Sequence, residues 1–207
     1  MANKLSVIVL HTVLCAGTTF VAQAQDIDSS TPLVKKYDWS VLGSYGYSSY
    51  YDFSGSNGST PSGRIAVGKR VLTRYASDLG LEVGVQQNGR THYSSDAGCS
   101  FTTYPMVDAL LTLKTPIFSS DRIFANLKAG IAYTNWRYYR QGIDQGSQQG
   151  LSGEGQAGLG YVIKDVFNFS VLYQGLLRTS ILSGMHTNLT NNLPAQNGVL
   201  LSLSMSL

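Results

Sequence analysis

The sequence predicts an all-β protein, an eight-stranded antiparallel up-and-down transmembrane β-barrel. Three observations predict it. Apolar residues alternate with small or polar ones at period two over eight separate stretches. The connections between those stretches sort by parity into long and short. Asp, Glu, Lys and Arg make up only 13% of the chain, where a water-soluble domain usually carries about 25%, yet there are no long apolar runs in the region that alternates.

The first segment is expected to be removed. Lys4 is a positive n-region, Leu5 to Leu14 (LSVIVLHTVL) an apolar h-region, and Ala22-Gln23-Ala24 a small-residue cleavage site before Gln25. The apolar stretch is shorter than the roughly 20 residues a membrane helix needs. A lipid-anchor reading fails because Val13 and Leu14, rather than small residues, precede Cys15. The expected organisation is a cleaved signal peptide over 1–24, a short periplasmic segment over 25–36 and a barrel over 37–207. Removing 1–24 leaves 183 of the 207 residues and takes away only one charge, Lys4, so that 14 basic and 12 acidic side chains remain, a net +2. So mild a balance does not imply nucleic acid or a polybasic membrane patch, and no nucleic-acid partner is expected. Cys99 then stands alone, with no second Cys for a disulfide and no Cys or His cluster for a zinc site. No metal or other cofactor is expected.

The strands follow in order. Trp39, Val41, Gly43, Tyr45 and Tyr47 share one face, against Ser40, Leu42, Ser44, Gly46 and Ser48. Ile65, Val67 and Val71 oppose Arg64, Ala66, Gly68 and Arg70. Leu79, Leu81, Val83 and Val85 oppose Gly80, Glu82, Gly84 and Gln86. Val107, Ala109, Leu111 and Leu113 oppose Asp108, Leu110, Thr112 and Lys114. In the second half, Ile123 to Tyr133 alternates against Phe124, Asn126, Lys128, Gly130 and Thr134. Ala157, Leu159, Tyr161 and Ile163 oppose Glu154, Gln156, Gly158 and Gly160. Phe167, Phe169, Val171 and Tyr173 oppose Asn168, Ser170 and Gln174. Val199 to Leu207 alternates against Leu200, Ser202, Ser204 and Ser206. Each stretch approaches the 9–11 residues of a tilted membrane strand.

Long connections are expected at Asp52–Ser62, Asn88–Thr103, Asn135–Leu151 and Leu177–Gln196. Short ones are expected at Thr73–Asp78, Thr115–Asp121 and Lys164-Asp165. Long external loops, short periplasmic turns and two periplasmic termini are the pattern of membrane barrels. A soluble sandwich has no reason to sort its loops by parity.

The faces decide between two closed barrels. A lipocalin-like barrel turns its apolar face inward around a ligand; a membrane barrel turns it outward to lipid. Here the polar face is rich in Gly, Ser, Gln and Ala, sizes that fit the narrow interior of eight strands. It also carries charges of both signs: Arg64, Arg70, Lys114 and Lys128 with Glu82, Asp108 and Glu154. These seven are read as a lumenal ion-pair network, since buried charges persist when paired and hydrogen-bonded. Apolar strand faces with no helices to cover them need lipid. Aromatics (Tyr37, Trp39, Tyr45, Tyr47, Tyr50, Tyr51, Tyr104, Tyr133, Trp136, Tyr138, Tyr139, Phe167, Phe169, Tyr173) cluster at or near strand ends, as interfacial girdles do.

With the signal peptide, Leu79–Gln86 (LGLEVGVQ), Pro105–Pro116 (PMVDALLTLKTP), Ile123–Tyr133 and the terminal strand Gly198–Leu207, the chain resembles the small outer-membrane β-barrel proteins of the OmpA-like and porin-family type. The resemblance spans the mature chain and implies residence in the bacterial outer membrane. It also implies contact with outer-membrane lipid and lipopolysaccharide, and insertion by the barrel assembly machinery. That family usually ends in an aromatic residue; Leu207 departs from this while keeping the outward phase of Leu203 and Met205.

Chemistry-bearing motifs are sparse. His92 and His186 fall in expected loops. Thr91–Gly98 (THYSSDAG) resembles, through His92 and Ser94, the His-x-Ser of lipid A deacylases, with Asp96 as the acid that a hydrolase needs to orient its base. An unbroken third strand would turn all three toward the lumen, away from a lipid acyl bond, unless Asn88-Gly89 resets the phase. Gly150–Gly160 lacks the Lys and following helix of a phosphate cradle. The expectation is a non-enzymatic envelope structural protein with a largely filled lumen and at most narrow solute conductance. The alternatives are a surface adhesin or host-contact protein acting through its external loops, and a lipid A deacylase-like hydrolase.

Overall fold

Period-two alternation becomes strand pairing along the whole barrel. The computed structural model describes residues 38–51, 57–74, 76–92, 99–103, 105–117, 120–140, 143–164, 166–178 and 195–207. The expected signal peptide and the segment 25–36 lie outside the described residues. The described chain forms ten strands: β1 (Trp39–Tyr51), β2 (Asn57–Arg74), β3 (Ser77–Asn88), β4 (Arg90–His92), β5 (Cys99–Thr103), β6 (Met106–Ile117), β7 (Ser120–Arg140), β8 (Ile143–Lys164), β9 (Phe167–Arg178) and β10 (Ala195–Ser206).

They pair in the order β4-β5-β7-β6-β3-β2-β1-β10-β9-β8, and β8 returns to pair with β7. Every pairing is antiparallel. Eight strands (β1, β2, β3, β6, β7, β8, β9, β10) thus close a barrel, and closure leaves no free edge in the hydrocarbon, where an unpaired backbone group has no water to bond. β4 and β5 prolong β3 and β6 as a hairpin whose β5 continues against the upper part of β7. The start of β1 and the end of β10 meet at one end, where Ser40 faces Ser206. That end also holds the three short turns. In the first of these, Arg74 faces Ser77 across two residues, and Ala76 adopts a left-handed φ of 62°.

The exposed and buried faces follow the alternation. Ile65, Val67, Leu81, Val83, Val85, Leu111, Ile131, Leu159, Val171, Val199, Leu201 and Leu203 are all exposed, Ile65 at 69%. Gln86, Gln174, Asp108 and Ser202 are buried at 0–1%. This is the reverse of a water-soluble barrel and is the arrangement that lipid requires. Trp39, Tyr161 and Phe169 stand outward toward the turn end, and Tyr45, Tyr47, Tyr133 and Tyr173 toward the other. The Tyr45 and Tyr47 rings meet edge to face at 6.4 Å, and Lys69 Nζ lies 5.2 Å from the Trp39 ring.

Three expected loops are corrected. Asn135–Leu151 is largely strand: the β7–β8 ladder runs to Arg140 opposite Ile143, with a register shift at Tyr138/Tyr139 and Gly146 at a φ of 107°. Asn57–Ser62, within the expected first loop, pairs with β1. Arg90–His92 pairs with Ser100–Thr102, within the second. The physical reason is common to all three. Beyond the hydrocarbon neither sheet face meets lipid, so Gly, Ser, Gln and Asn replace the apolar residues and the alternation fades while backbone pairing continues. Most of the fourth expected loop, 179–194, lies outside the described residues.

Candidate functional site

The inward face of the barrel holds the charged side chains. Arg64 on β2 is 2% exposed and reaches both the adjacent strand β3 and the strand beyond it, β6. Its Nε and Nη2 donate to Oδ2 and Oδ1 of Asp108 on β6, at 2.8 and 2.5 Å, a two-pronged contact. Its Nη1 donates to Oε1 of Glu82 on β3 at 2.6 Å. Lys128 on β7 donates to both Glu82 oxygens, at 2.8 and 3.0 Å. Two cations and two carboxylates from four strands are thus joined with no net charge. Removing ions from water is expensive, and their attraction offsets that cost only where geometry and hydrogen bonding are good; the two-pronged guanidinium contact supplies both.

Glycine shapes this cluster. Gly84, opposite Asp108 on β6, leaves the space the Arg64 guanidinium occupies. Toward the turn end, the Phe124 ring lies over its cross-strand partner Gly160, where a methyl would come 2.2 Å from Cζ. Lys114 Nζ sits 5.8 Å from that ring.

Three of the seven expected network members stand apart from these hydrogen-bonded ion pairs. Arg70 lies at the turn end, with Asp38 at 3.2 Å and Asp78 at 3.9 Å. Lys114 lines a small recess there, about 80 Å³, together with Arg70, Asp78, Phe124 and Asn168. Glu154 is held by amides rather than cations: Gln156 Nε2 and Gln174 Nε2 donate to its Oε1 at 2.7 and 2.6 Å. Its buried Oε2 has no hydrogen-bond partner among the described residues.

Sequence reasoning missed a belt of amides. Gln174 and Gln86 exchange hydrogen bonds across the lumen at 2.9 and 3.2 Å. Gln86 donates to Asn88 at 3.0 Å, Asn88 donates to Gln196 at 3.5 Å, and Gln196 donates to Ser48 at 3.0 Å. Buried Met106 on β6, Ala132 on β7 and Leu176 on β9 form a small apolar cluster at this level of the lumen. A signal existed for Gln86 and Gln174, which occupy inward phases of strands. Asn88 and Gln196 fell in expected loops, where phase carries no meaning.

Of the deacylase-like candidates, only the backbone of His92 lies among the described residues. β3 ends at Asn88, and Gly89 N instead donates to Pro61 O at 2.9 Å. Unbroken alternation from Asn88 would turn Arg90 inward, yet it is exposed, its guanidinium 4.9 Å from the Tyr139 ring. The phase is therefore interrupted at Gly89. The backbone of His92 closes β4 opposite Ser100, and that of Cys99 opens β5 opposite Arg140. Ser94, Asp96 and His186 lie outside the described residues.

Closed antiparallel strands, an apolar outer band bounded by aromatics, and a polar, ion-paired interior define the class. This is a small transmembrane β-barrel of the bacterial outer-membrane type, and the outer membrane is where such a barrel resides. Solved structures agree. The chain is similar to Neisserial surface protein A at 13% identity, over 82% of this chain and 97% of that one, with a TM-score of 0.60. It is similar to Ail, the attachment invasion locus protein of Yersinia pestis, at 11% identity over 84% and 100%, with a TM-score of 0.53. It is also similar to Ail in complex with the heparin analogue sucrose octasulfate, at 12% identity over 84% and 100%, with a TM-score of 0.55. At these identities the likeness is one of fold. No family model and no curated protein sequence matches the chain.

Proposed function

We propose that the protein is an envelope structural barrel whose lumen is closed to solutes. The observation that carries this reading is the Arg64–Asp108–Glu82–Lys128 cluster, whose members lie 1–4% exposed and span four strands of the interior. The amide belt from Glu154 to Ser48 and the Met106–Ala132–Leu176 contact support it from the other side. An eight-stranded barrel has room inside for side chains rather than for a water column. Single-channel recording of the purified protein in a planar bilayer tests it; a large, steady conductance contradicts it.

A second reading has its own observation. β7 and β8, at 21 and 22 residues, run far past the length that spans a bilayer and, with β4 and β5, form a sheet above the barrel. Arg137 and Asp144 sit 3.5 Å apart on it, and Arg90 covers Tyr139. A rigid scaffold presenting such a sheet suits attachment to a host or other external surface. The similar barrel Ail has been solved in complex with the heparin analogue sucrose octasulfate, which supports this reading. Loss of surface attachment on trimming this hairpin would support the reading, and unchanged attachment would contradict it.

A further inference from the structure

The lipid-facing surface is not uniformly covered. A groove of about 580 Å³ crosses β1 and β2 on the outer face. Its floor is the backbone of Gly43 and Gly63. In one rung Gly43 stands between Leu203 and Ile65; in the next, Gly63 stands between Tyr45 and Gln87. The two missing side chains are diagonal neighbours, so the gaps join into one slot walled by Tyr45, Ile65, Leu201 and Leu203, with Phe169 and Val85 beyond.

Packing within the protein does not require these glycines. A Cβ at Gly43 would meet nothing within 4 Å, and at Gly63 only Ser44 O, at 4.0 Å. Gly46, Gly130 and Gly158 are different: a Cβ there would fall 1.9–2.0 Å from a neighbouring backbone oxygen. Gly155 is also open outward, but it lies between Ala129 and Gly175, which give it no walls.

We propose that the slot seats one acyl chain of an outer-leaflet lipid, lipid A. The slot lies within the apolar band, between the Phe169 end and the Tyr45–Tyr47 pair, so hydrocarbon is the medium that meets it. It is one side chain wide and elongated, the shape of an alkyl chain. It opens toward Gln87 and Pro105, at the end of β3 and just before β6, which is the end away from the turns and so the side from which outer-leaflet chains descend. Inside a bilayer there is no hydrophobic drive to fill it, since lipid tails are as apolar as the walls; selection rests on van der Waals fit.

The test reconstitutes the full chain in phosphatidylethanolamine vesicles containing lipid A and releases it for native mass spectrometry. The wild type is expected to keep one lipid A, and Gly43→Ile/Gly63→Ile, which fills the slot, to lose it. Equal retention by both overturns the proposal. Retention of phosphatidylethanolamine alone overturns the outer-leaflet assignment. A wild-type dimer that the double variant abolishes would show that a second copy occupies the slot instead. Should the variant fail to fold, lipid A with a photoreactive chain end gives the answer on wild type: crosslinks should concentrate near Tyr45, Ile65 and Leu203, and an even spread around the barrel overturns the seat.

Discussion

A methyl group at Gly84 would lie 2.5 Å from Nη2 and 2.7 Å from Cζ of Arg64. The guanidinium cannot retreat freely, because Asp108 and Glu82 together hold three of its nitrogens. Gly84→Ala should therefore act as overpacking and lower stability by about 1–3 kcal/mol. The urea midpoint of the folded barrel, read by its heat-modifiable gel shift, checks this. An unchanged midpoint would mean that the guanidinium is not pinned.

Arg64 is the hub of the cluster, and removing it alone leaves Asp108 buried without its cation. Arg64→Leu should cost about 3–5 kcal/mol. Adding Asp108→Leu removes the stranded charge while Glu82 keeps Lys128, so the double variant should recover much of the loss. A double variant no more stable than the single one would contradict the pairing.

Phe124 and Gly160 should be energetically coupled. Phe124→Ala opens a cavity worth about 3–5 kcal/mol. Gly160→Ala drives a methyl into the ring and should destabilise the wild type, yet cost little once Phe124 is Ala. A double-mutant cycle with no interaction energy would sink the idea that the ring needs this glycine.

The upper β7–β8 hairpin should be dispensable for the barrel. β8 pairs with β9 only from Ser152 onward, and the buried cluster lies nearer the turns. Replacing 136–148 by a short turn should leave the gel shift intact. A barrel that no longer folds would show that the raised sheet contributes to assembly.

Ala76 holds a left-handed backbone, which costs a non-glycine residue roughly 1–2 kcal/mol. Part of that is returned as added freedom of the unfolded chain when glycine is placed there. Ala76→Gly should raise stability by about 0.5–1 kcal/mol in the same urea titration. A lower midpoint would contradict the strain.

The eight strands and their facing were legible because lipid on one side and a narrow lumen on the other force opposite chemistry at alternate residues: Leu81, Val83 and Val85 against Glu82, Gly84 and Gln86. Legibility stopped where that constraint stopped. The stretch 146–150 reads as loop, since outside the membrane neither face must be apolar, yet its backbone pairs with β7. The charged residues could be assigned to the lumen from phase alone, but their partners depend on how strands wrap around the barrel. Arg64 meets Asp108 two strands away, while Arg70, only six residues along β2, turns to Asp38 and Asp78. The amide belt escaped notice because Asn88 and Gln196 sit where strand becomes rim.

The central claim is a lumen closed by its own side chains, and single-channel recording tests it most directly. The folded monomer in a planar bilayer should show no large, steady conductance, and Arg64→Ala with Asp108→Ala, which empties the centre of the cluster, should raise the current above wild type. A wild-type monomer that conducts steadily at high level, with no change on emptying the cluster, would contradict the account.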